Sequence, residues 1–228
     1  MAVSSPIVFL FDVDNTLLNN DRVAEDLQRH MTDAFGLERQ KRYWVIFEEL
    51  REQFGYTDYL GALQRYRIEN PRDPHLLEIS SYLIEYPFAN RLYPESIDAL
   101  EMAKRWGTTV LLTDGDAVFQ PRKVKRSGLS EAVNGRVLVY IHKEQELADV
   151  ETRYPADHYV LVDDKIRILT AAKKVWGERL TTVFPRQGHY ALDAKEVAAY
   201  PPPDVTIERI GEFQTLKLQD LLKAARKA

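Results

Sequence analysis

The sequence predicts an α/β protein: a parallel sheet flanked by helices, with a helical bundle inserted after the first strand. Three observations predict it. Short runs rich in Val, Ile, Leu and aromatics are mostly continuously apolar rather than alternating, which suits strands buried on both faces. From about residue 94 onward these runs alternate with stretches of helical periodicity, the pattern of a parallel sheet covered by helices. The first run breaks that alternation, because no good strand follows Phe11 until Thr109 and the interval is helical and aromatic.

Taken in order, Ile7–Phe11 (IVFLF) is the first strand. Four helices follow, Asp21–Phe35, Glu38–Phe54, Thr57–Glu69 and His75–Tyr86, punctuated by Gly36, Gly55 and Pro71 with Pro74. Together they suffice for a small bundle. Glu95–Trp106 is the next helix, with Gly107 as its C′ glycine. Then come strand Thr109–Leu112, helix Ala117–Ser127 ending at Gly128, strand Val137–Ile141 and helix Lys143–Arg153. Strand Tyr159–Val162, helix Lys165–Trp176 ending at Gly177, and strand Thr181–Phe184 follow. Pro201–Pro203 is a stiff loop before a weaker last strand, Val205–Glu208. The expected division is a core of residues 1–19 and 92–228 and a helical insertion of residues 20–91. The chain crosses between them near Leu18–Asp21 and Phe88–Tyr93.

Composition narrows the function. The 228 residues carry 31 Lys plus Arg against 35 Asp plus Glu, a net charge of −4, so a dedicated nucleic-acid binder is not expected. The absence of Cys excludes a disulfide scaffold, a thiolate zinc site and a thiol nucleophile, and is compatible with a reducing compartment. Asp12 and Asp14 cut short the first apolar run and no basic leader precedes it, so no signal peptide is expected. No stretch approaches a membrane span. The expected location is the cytoplasm, with no membrane partner.

Ligands of open parallel sheets bind at the carboxyl ends of the strands. Four consecutive strand ends carry polar or ionisable groups: Asp12 and Asp14, then Thr113 and Asp114, then Lys143, then Asp163 and Asp164. Singly, each has a plainer explanation as an Asx turn, a helix cap or a solvated lysine. Lys143 is poorly placed even for that, since a cation disfavours a helix N-terminus. In a parallel sheet all four ends converge on one edge. Two like charges about 4 Å apart repel by roughly 4 kcal/mol at an effective dielectric near 20. Four ionised carboxylates therefore need protonation or a cation among them. An oxygen-only cluster without His or Cys favours Mg2+, which also binds substrate phosphate. The Thr113 hydroxyl and Lys143 would then complement the remaining phosphate oxygens.

These residues resemble the four motifs of the haloacid dehalogenase superfamily. FDVDNTLL at 11–18 looks like the first, LLTDG at 111–115 the second, Lys143 the third and LVDDK at 161–165 the fourth. The resemblance implies a Rossmann-like core, and the insertion is similar to the family's type-one cap. It implies Asp12 as nucleophile, forming an aspartyl-phosphate, and Asp14 as general acid and base, its neutral form favoured by neighbouring anions. It implies Mg2+ held by Asp12, Asp14 through its backbone carbonyl, and Asp164, with Asp163 acting directly or through a water. Thr113, the Asp114 N–H and Lys143 would hold the phosphoryl oxygens, and Thr16 would bond the turn that aims the aspartates. Three departures stand out: Asn15 replaces the commoner Gly, Asp114 replaces Asn, and Lys143 lacks a following Pro. Lys123, Lys125 and Lys165 are therefore rivals to Lys143.

Within that resemblance, Asp14 favours phosphoryl transfer to water, because the dehalogenases that name the group lack this second aspartate and need no metal. The expected activity is a Mg2+-dependent phosphomonoesterase acting on a small phosphorylated metabolite. The alternatives are a phosphosugar mutase and a non-catalytic phosphate-sensing or scaffolding member. A phosphonate hydrolase would need a Schiff-base lysine in the insertion, which offers only Lys41. Receiver domains use similar groups in another order and without the insertion. Substrate-selecting candidates in the insertion are Arg42, Tyr43, Trp44, Arg51, Tyr59, Arg65, Tyr66 and Arg67, although aromatics at helical spacing are mostly core. Gly188, His189 and Tyr190 form a turn near the site with no assigned role.

Overall fold

The computed structural model describes residues 5–225, so both extreme ends of the expected core lie outside it. Strand β1 (Ser5–Phe11) is followed by four helices, α1 (Asn20–Phe35), α2 (Leu37–Phe54), α3 (Tyr59–Glu69) and α4 (Leu76–Glu85). Then come α5 (Ser96–Lys104), β2 (Thr108–Asp114), α6 (Phe119–Arg126), the short α7 (Leu129–Ala132) and β3 (Val137–Tyr140). The remainder is α8 (Leu147–Arg153), β4 (Ala156–Val162), α9 (Ile166–Trp176), β5 (Leu180–Pro185), α10 (Gly188–Leu192), α11 (Ala194–Ala198), β6 (Val205–Ile207) and α12 (Leu218–Ala224). The six strands form one parallel sheet in the order β3-β2-β1-β4-β5-β6.

The uninterrupted apolar runs follow from helices on both sides. Successive side chains of a strand point to opposite faces. Phe9 and Phe11 of β1 join Leu111, Val160, Val162 and Val183 on one face, with Phe213 packed edge-on against both phenylalanines. Val8 and Leu10 join Val110, Leu112, Tyr159 and Leu161 on the other, covered by Ile168, Leu169 and Trp176 of α9. With helices over both faces the runs stay mostly apolar, the buried threonines Thr109, Thr181 and Thr182 being exceptions.

The inserted helices bury stripes at helical spacing: Val23, Leu27, Met31 and Phe35 on α1, and Tyr43, Ile46, Phe47 and Leu50 on α2. Their interior is continuous with the first face of the sheet, since Tyr59 and Phe88 both meet Phe119 of α6, at 5.1 and 5.5 Å between ring centroids. The outgoing and returning crossings lie side by side. Leu18 bridges Leu92, the Asn19 N–H donates to Arg91 O (2.7 Å) and the Tyr93 N–H to Leu17 O (2.9 Å).

Three local expectations change. Gly107 is not a left-handed cap; a Cβ there would lie 2.3 Å from the Ile7 carbonyl oxygen, so the residue is glycine for close approach to β1. The helix expected over Lys143–Arg153 is a 3-10 turn, Lys143–Gln145, followed by α8. The turn at Gly188–Tyr190 is the first part of α10. Among the described residues no helix is long and apolar enough to cross a membrane.

Candidate active site

Register brings the strand ends together. Phe11 of β1 pairs with Val162 of β4 on one side and Leu111 of β2 on the other. Asp12 therefore emerges beside Asp163, its N–H donating to Val162 O at 2.9 Å. A tight turn follows, with Asn15 at φ 61° and the Leu17 and Leu18 N–H groups donating to Val13 O. Asn tolerates that left-handed backbone where most residues do not. Thr16 ties the first motif to the last, its Oγ1 accepting the Asp164 N–H at 3.0 Å.

Asp12, Asp163 and Asp164 each bring one oxygen into a group whose members lie within 4.8 Å of one another. All three are buried, the two residues of β4's end completely. Among the described residues, Asp12 Oδ2 and both oxygens of Asp164 have no hydrogen-bond partner. Burial pushes the Asp163 carboxyl up to about 6 against the pull of Lys143, and pushes Asp164 well above the ordinary carboxylate range. Buried carboxylate oxygens without partners are costly. A hard divalent cation among them would satisfy all three at once, so the donor set fits Mg2+ or a similar ion.

Lys143 stands at the centre of this cluster. Its Nζ is 2.5 Å from Asp12 Oδ1 and 2.6 Å from Asp163 Oδ2. Burial alone would discharge the amine, but the charges of Asp12, Asp163 and Asp114 outweigh it and raise its pKa. The loop that carries it is anchored by Asp114, whose Oδ1 accepts the Lys143 N–H at 2.7 Å. Burial raises the Asp114 pKa despite Lys143. Of the rival lysines, Lys165 is half-buried with Nζ 5.1 Å from the Tyr190 ring centroid, and Lys125 is exposed. The hydroxyl of Thr113 accepts from Gln120 Nε2 (2.9 Å), and its own hydrogen has only a long bond to Asp114 O (3.4 Å).

Asp14 departs from expectation. Its carboxylate does not join the acidic group. Both its oxygens receive the Nζ of Lys123 from α6, at 2.7 and 2.8 Å. Four carboxylates were expected to crowd together, with Asp14 kept neutral by anions. The structure gathers three and gives Asp14 a cation. The side chains of residues 12 and 14 leave the turn in different directions, and spacing along the chain does not reveal that.

A cleft of about 70 Å³ opens over these groups, lined by Asp12, Asp14, Thr113, Asp114, Lys165, Arg167 and Tyr190. From the insertion it receives Arg51, Gly55, Tyr56 and Thr57. Gly55, at φ 76°, fits so closely against His142 that a Cβ would lie 2.7 Å from the imidazole Cε1. Of the eight candidates in the insertion only Arg51 lines the cleft. Arg42 and Arg65 pair with Glu69 and Glu49, and the Tyr43 hydroxyl donates to Tyr59 O. Tyr66 donates to Asp73, Trp44 stacks on Phe47, Tyr59 is buried, and Arg67 lines a separate groove. Tyr56, Thr57 and Arg167 were missed; the one signal for the first two is the Gly55 break between helices. His189 pairs with Asp21 at the start of α1 (Nδ1 to Oδ1, 2.6 Å).

A family model described as haloacid dehalogenase-like hydrolase matches residues 8–176. Among solved structures, a haloacid dehalogenase-like hydrolase of Burkholderia xenovorans is 62% identical over 93% of this chain and 99% of its own, with a TM-score of 0.89. A haloacid dehalogenase-like family hydrolase of Xanthomonas campestris is 19% identical, covers 98% of this chain and 96% of its own, and has a TM-score of 0.65. An L-2-haloacid dehalogenase of Xanthobacter autotrophicus, solved with chloropropionic acid covalently bound, is 18% identical over 92% and 97% of the two chains, with a TM-score of 0.58. The last two share the fold. No curated protein matches the chain. With the four motif loops gathered at one sheet edge and a family match over most of its length, the chain belongs to the haloacid dehalogenase-like hydrolases.

Proposed function

We propose that this hydrolase is a Mg2+-dependent phosphomonoesterase that acts on a small phosphorylated metabolite through an aspartyl-phosphate on Asp12, with residues 20–91 as a cap over a core of residues 1–19 and 92–228. The observation that carries this reading is the buried trio Asp12, Asp163 and Asp164, with three oxygens that have no hydrogen-bond partner among the described residues, beside a cleft lined with hydrogen-bond donors. A second aspartate, Asp14, on the wall of that cleft supports ester chemistry, since an alkoxide leaving group needs a proton and a halide does not.

Asp12, Asp163 and Asp164 would hold the Mg2+. When bound, the ion neutralises the trio and draws charge from the transferring phosphoryl group. Lys143 donates to Asp12, Asp163 and, at 3.3 Å, the Leu112 carbonyl oxygen, so a phosphoryl oxygen would take over the last and longest of its three bonds. The Thr113 hydroxyl, already accepting from Gln120, has its hydrogen available for another. A carboxylate oxygen of Asp12 attacks phosphorus, and the ester P–O bond breaks as Asp14 passes to the departing oxygen the proton it took from water in the preceding turnover; its bonds to Lys123 through both oxygens belong to the ionised form that this leaves. Water then attacks the aspartyl-phosphate. Asp14 takes the water's proton, the bond from Asp12 to phosphorus breaks, and inorganic phosphate leaves. Arg51, Tyr56 and Thr57 cover the leaving-group side and make the first contacts with the alcohol portion.

The test is a phosphate-ester panel with Mg2+ or EDTA, on wild type and Asp12→Asn. Expected is repeated turnover in wild type with Mg2+ only, and loss of activity to background in Asp12→Asn. Equal rates in the two proteins overturn the nucleophile. Halide release from 2-chloropropionate, without phosphate release from any ester, overturns the phosphatase reading in favour of a dehalogenase.

A further inference from the structure

Lys123 has no part in the chemistry above, and its surroundings are unusual for a lysine inside a helix. It is 1% exposed on α6, with the Phe119 ring centroid 5.5 Å from Nζ. Burying an ammonium ion is costly. An apolar side chain there would pack against Phe119 without that cost. All three of the ammonium's protons have acceptors: Asp14 Oδ1 at 2.7 Å, Asp14 Oδ2 at 2.8 Å and Asn20 Oδ1 at 2.9 Å. Asn20 is the first residue of α1 and also engages the hydroxyl of the fully buried Tyr59. Lys123 is thus braced from the insertion side while it holds Asp14 from behind, and Asp14 stays on the cleft wall.

We propose that Lys123 is the positioning residue of Asp14, fixing where that carboxylate points while Lys143 does the same for Asp12. The turn after β1 is short, and Asp14 is only partly covered, with 18% of its side chain exposed. Without Lys123 nothing else in the described residues ties down either of its carboxylate oxygens. Two lysines on different elements hold the two aspartates apart, one beside the acidic trio and one away from it. The role assigned to Asp14 rests on the phosphatase reading; the hold of Lys123 on its carboxylate does not.

The experiment compares wild type, Lys123→Met, Lys123→Arg, Asp14→Asn and the double variant Lys123→Met/Asp14→Asn with Mg2+ present. The substrates are p-nitrophenyl phosphate and glycerol phosphate. Misplacing a catalytic group by about 1 Å costs on the order of 100-fold. Lys123→Met is expected to lose about 100-fold in kcat on the alkyl ester, whose leaving oxygen most needs a proton, with less loss on the aryl ester and KM within about threefold. Lys123→Arg is expected to recover part of the loss. The double variant is expected to be no slower than Asp14→Asn, because residues acting as a unit are not additive. Unchanged kcat in Lys123→Met, or additive losses in the double variant, would overturn the proposal. A crystal structure of Lys123→Met gives a reading independent of turnover, with the Asp14 carboxylate expected to swing from its wild-type direction. If wild type hydrolyses neither ester, the phosphatase reading fails, and the Asp14 direction still decides the proposal. If Lys123→Met does not fold, Asn20→Ala, which removes the brace alone, is expected to lower kcat with the same preference for the alkyl ester; wild-type kinetics in Asn20→Ala would then count against it.

Discussion

Held between Asp12 and Asp163 at 1% exposure, Lys143 supplies the positive charge without which three buried carboxylates repel one another. Removing one partner of a buried ionic cluster costs about 3–5 kcal/mol, because the charges left behind are uncompensated. Lys143→Met is expected to lose that much stability in EDTA, measured by urea unfolding, and to recover part of it in Mg2+. Equal stability in EDTA would mean that the acids do not depend on the lysine. Lys143 is legible in the sequence because it directly follows a strand, where a cation has no local reason to be. Lys123 is not. FQPRKVKR has the same pattern whether its lysines meet water or a buried carboxylate, and only the packing of α6 against the turn after β1 decides. Asp14 is misjudged for the same reason: its place in the chain is plain, while the direction of its side chain depends on that distant lysine.

Where α1 leaves the sheet and the chain returns, Asp26 of α1 receives Arg91 Nε at 2.8 Å and also the Tyr86 hydroxyl. This knot joins the start of the insertion to its end. Burial would raise the Asp26 pKa, but the Tyr86 hydroxyl and the Arg91 guanidinium outweigh it and hold the carboxyl below its ordinary value. A carboxyl depressed in the folded state contributes stability that is present above its unfolded value of about 3.9 and is lost as pH falls through the folded one. Wild type is therefore expected to exceed Asp26→Asn in stability at pH 7, with the gap closing progressively below about pH 4. A gap independent of pH would show that Arg91 gains nothing from the charge. The helices here are legible to within two residues at either end, because Gly36 and Gly55 end α1 and α2 and the apolar stripes keep one period. The lining of the cleft is not, since it comes from the Gly55–Thr57 break and not from the helix faces where the aromatics lie.

Beyond its separate elements, the protein is held as two helical layers on one sheet, with the acidic trio where that sheet's two central strands end. An ion bound only by the folded state stabilises all of it by mass action, about 2.7 kcal/mol at 100 times Kd. Mg2+ added after EDTA treatment is expected to raise the wild-type Tm in a concentration-dependent way and to leave Asp164→Asn unmoved. A shift of equal size in both would place the ion elsewhere. The parallel class is legible because buried runs alternate with helices, and the convergence of motifs follows from that alone. The order of strands has a further cost during synthesis. β1 ends at Phe11, while its two neighbours begin at Thr108 and Ala156. At about 5–20 residues per second, ribosomes leave this apolar ribbon with both edges bare for roughly 5–20 s before the first neighbour exists. Helices α1–α5 are the elements synthesised in that interval, so the first apolar surfaces this ribbon meets are helical.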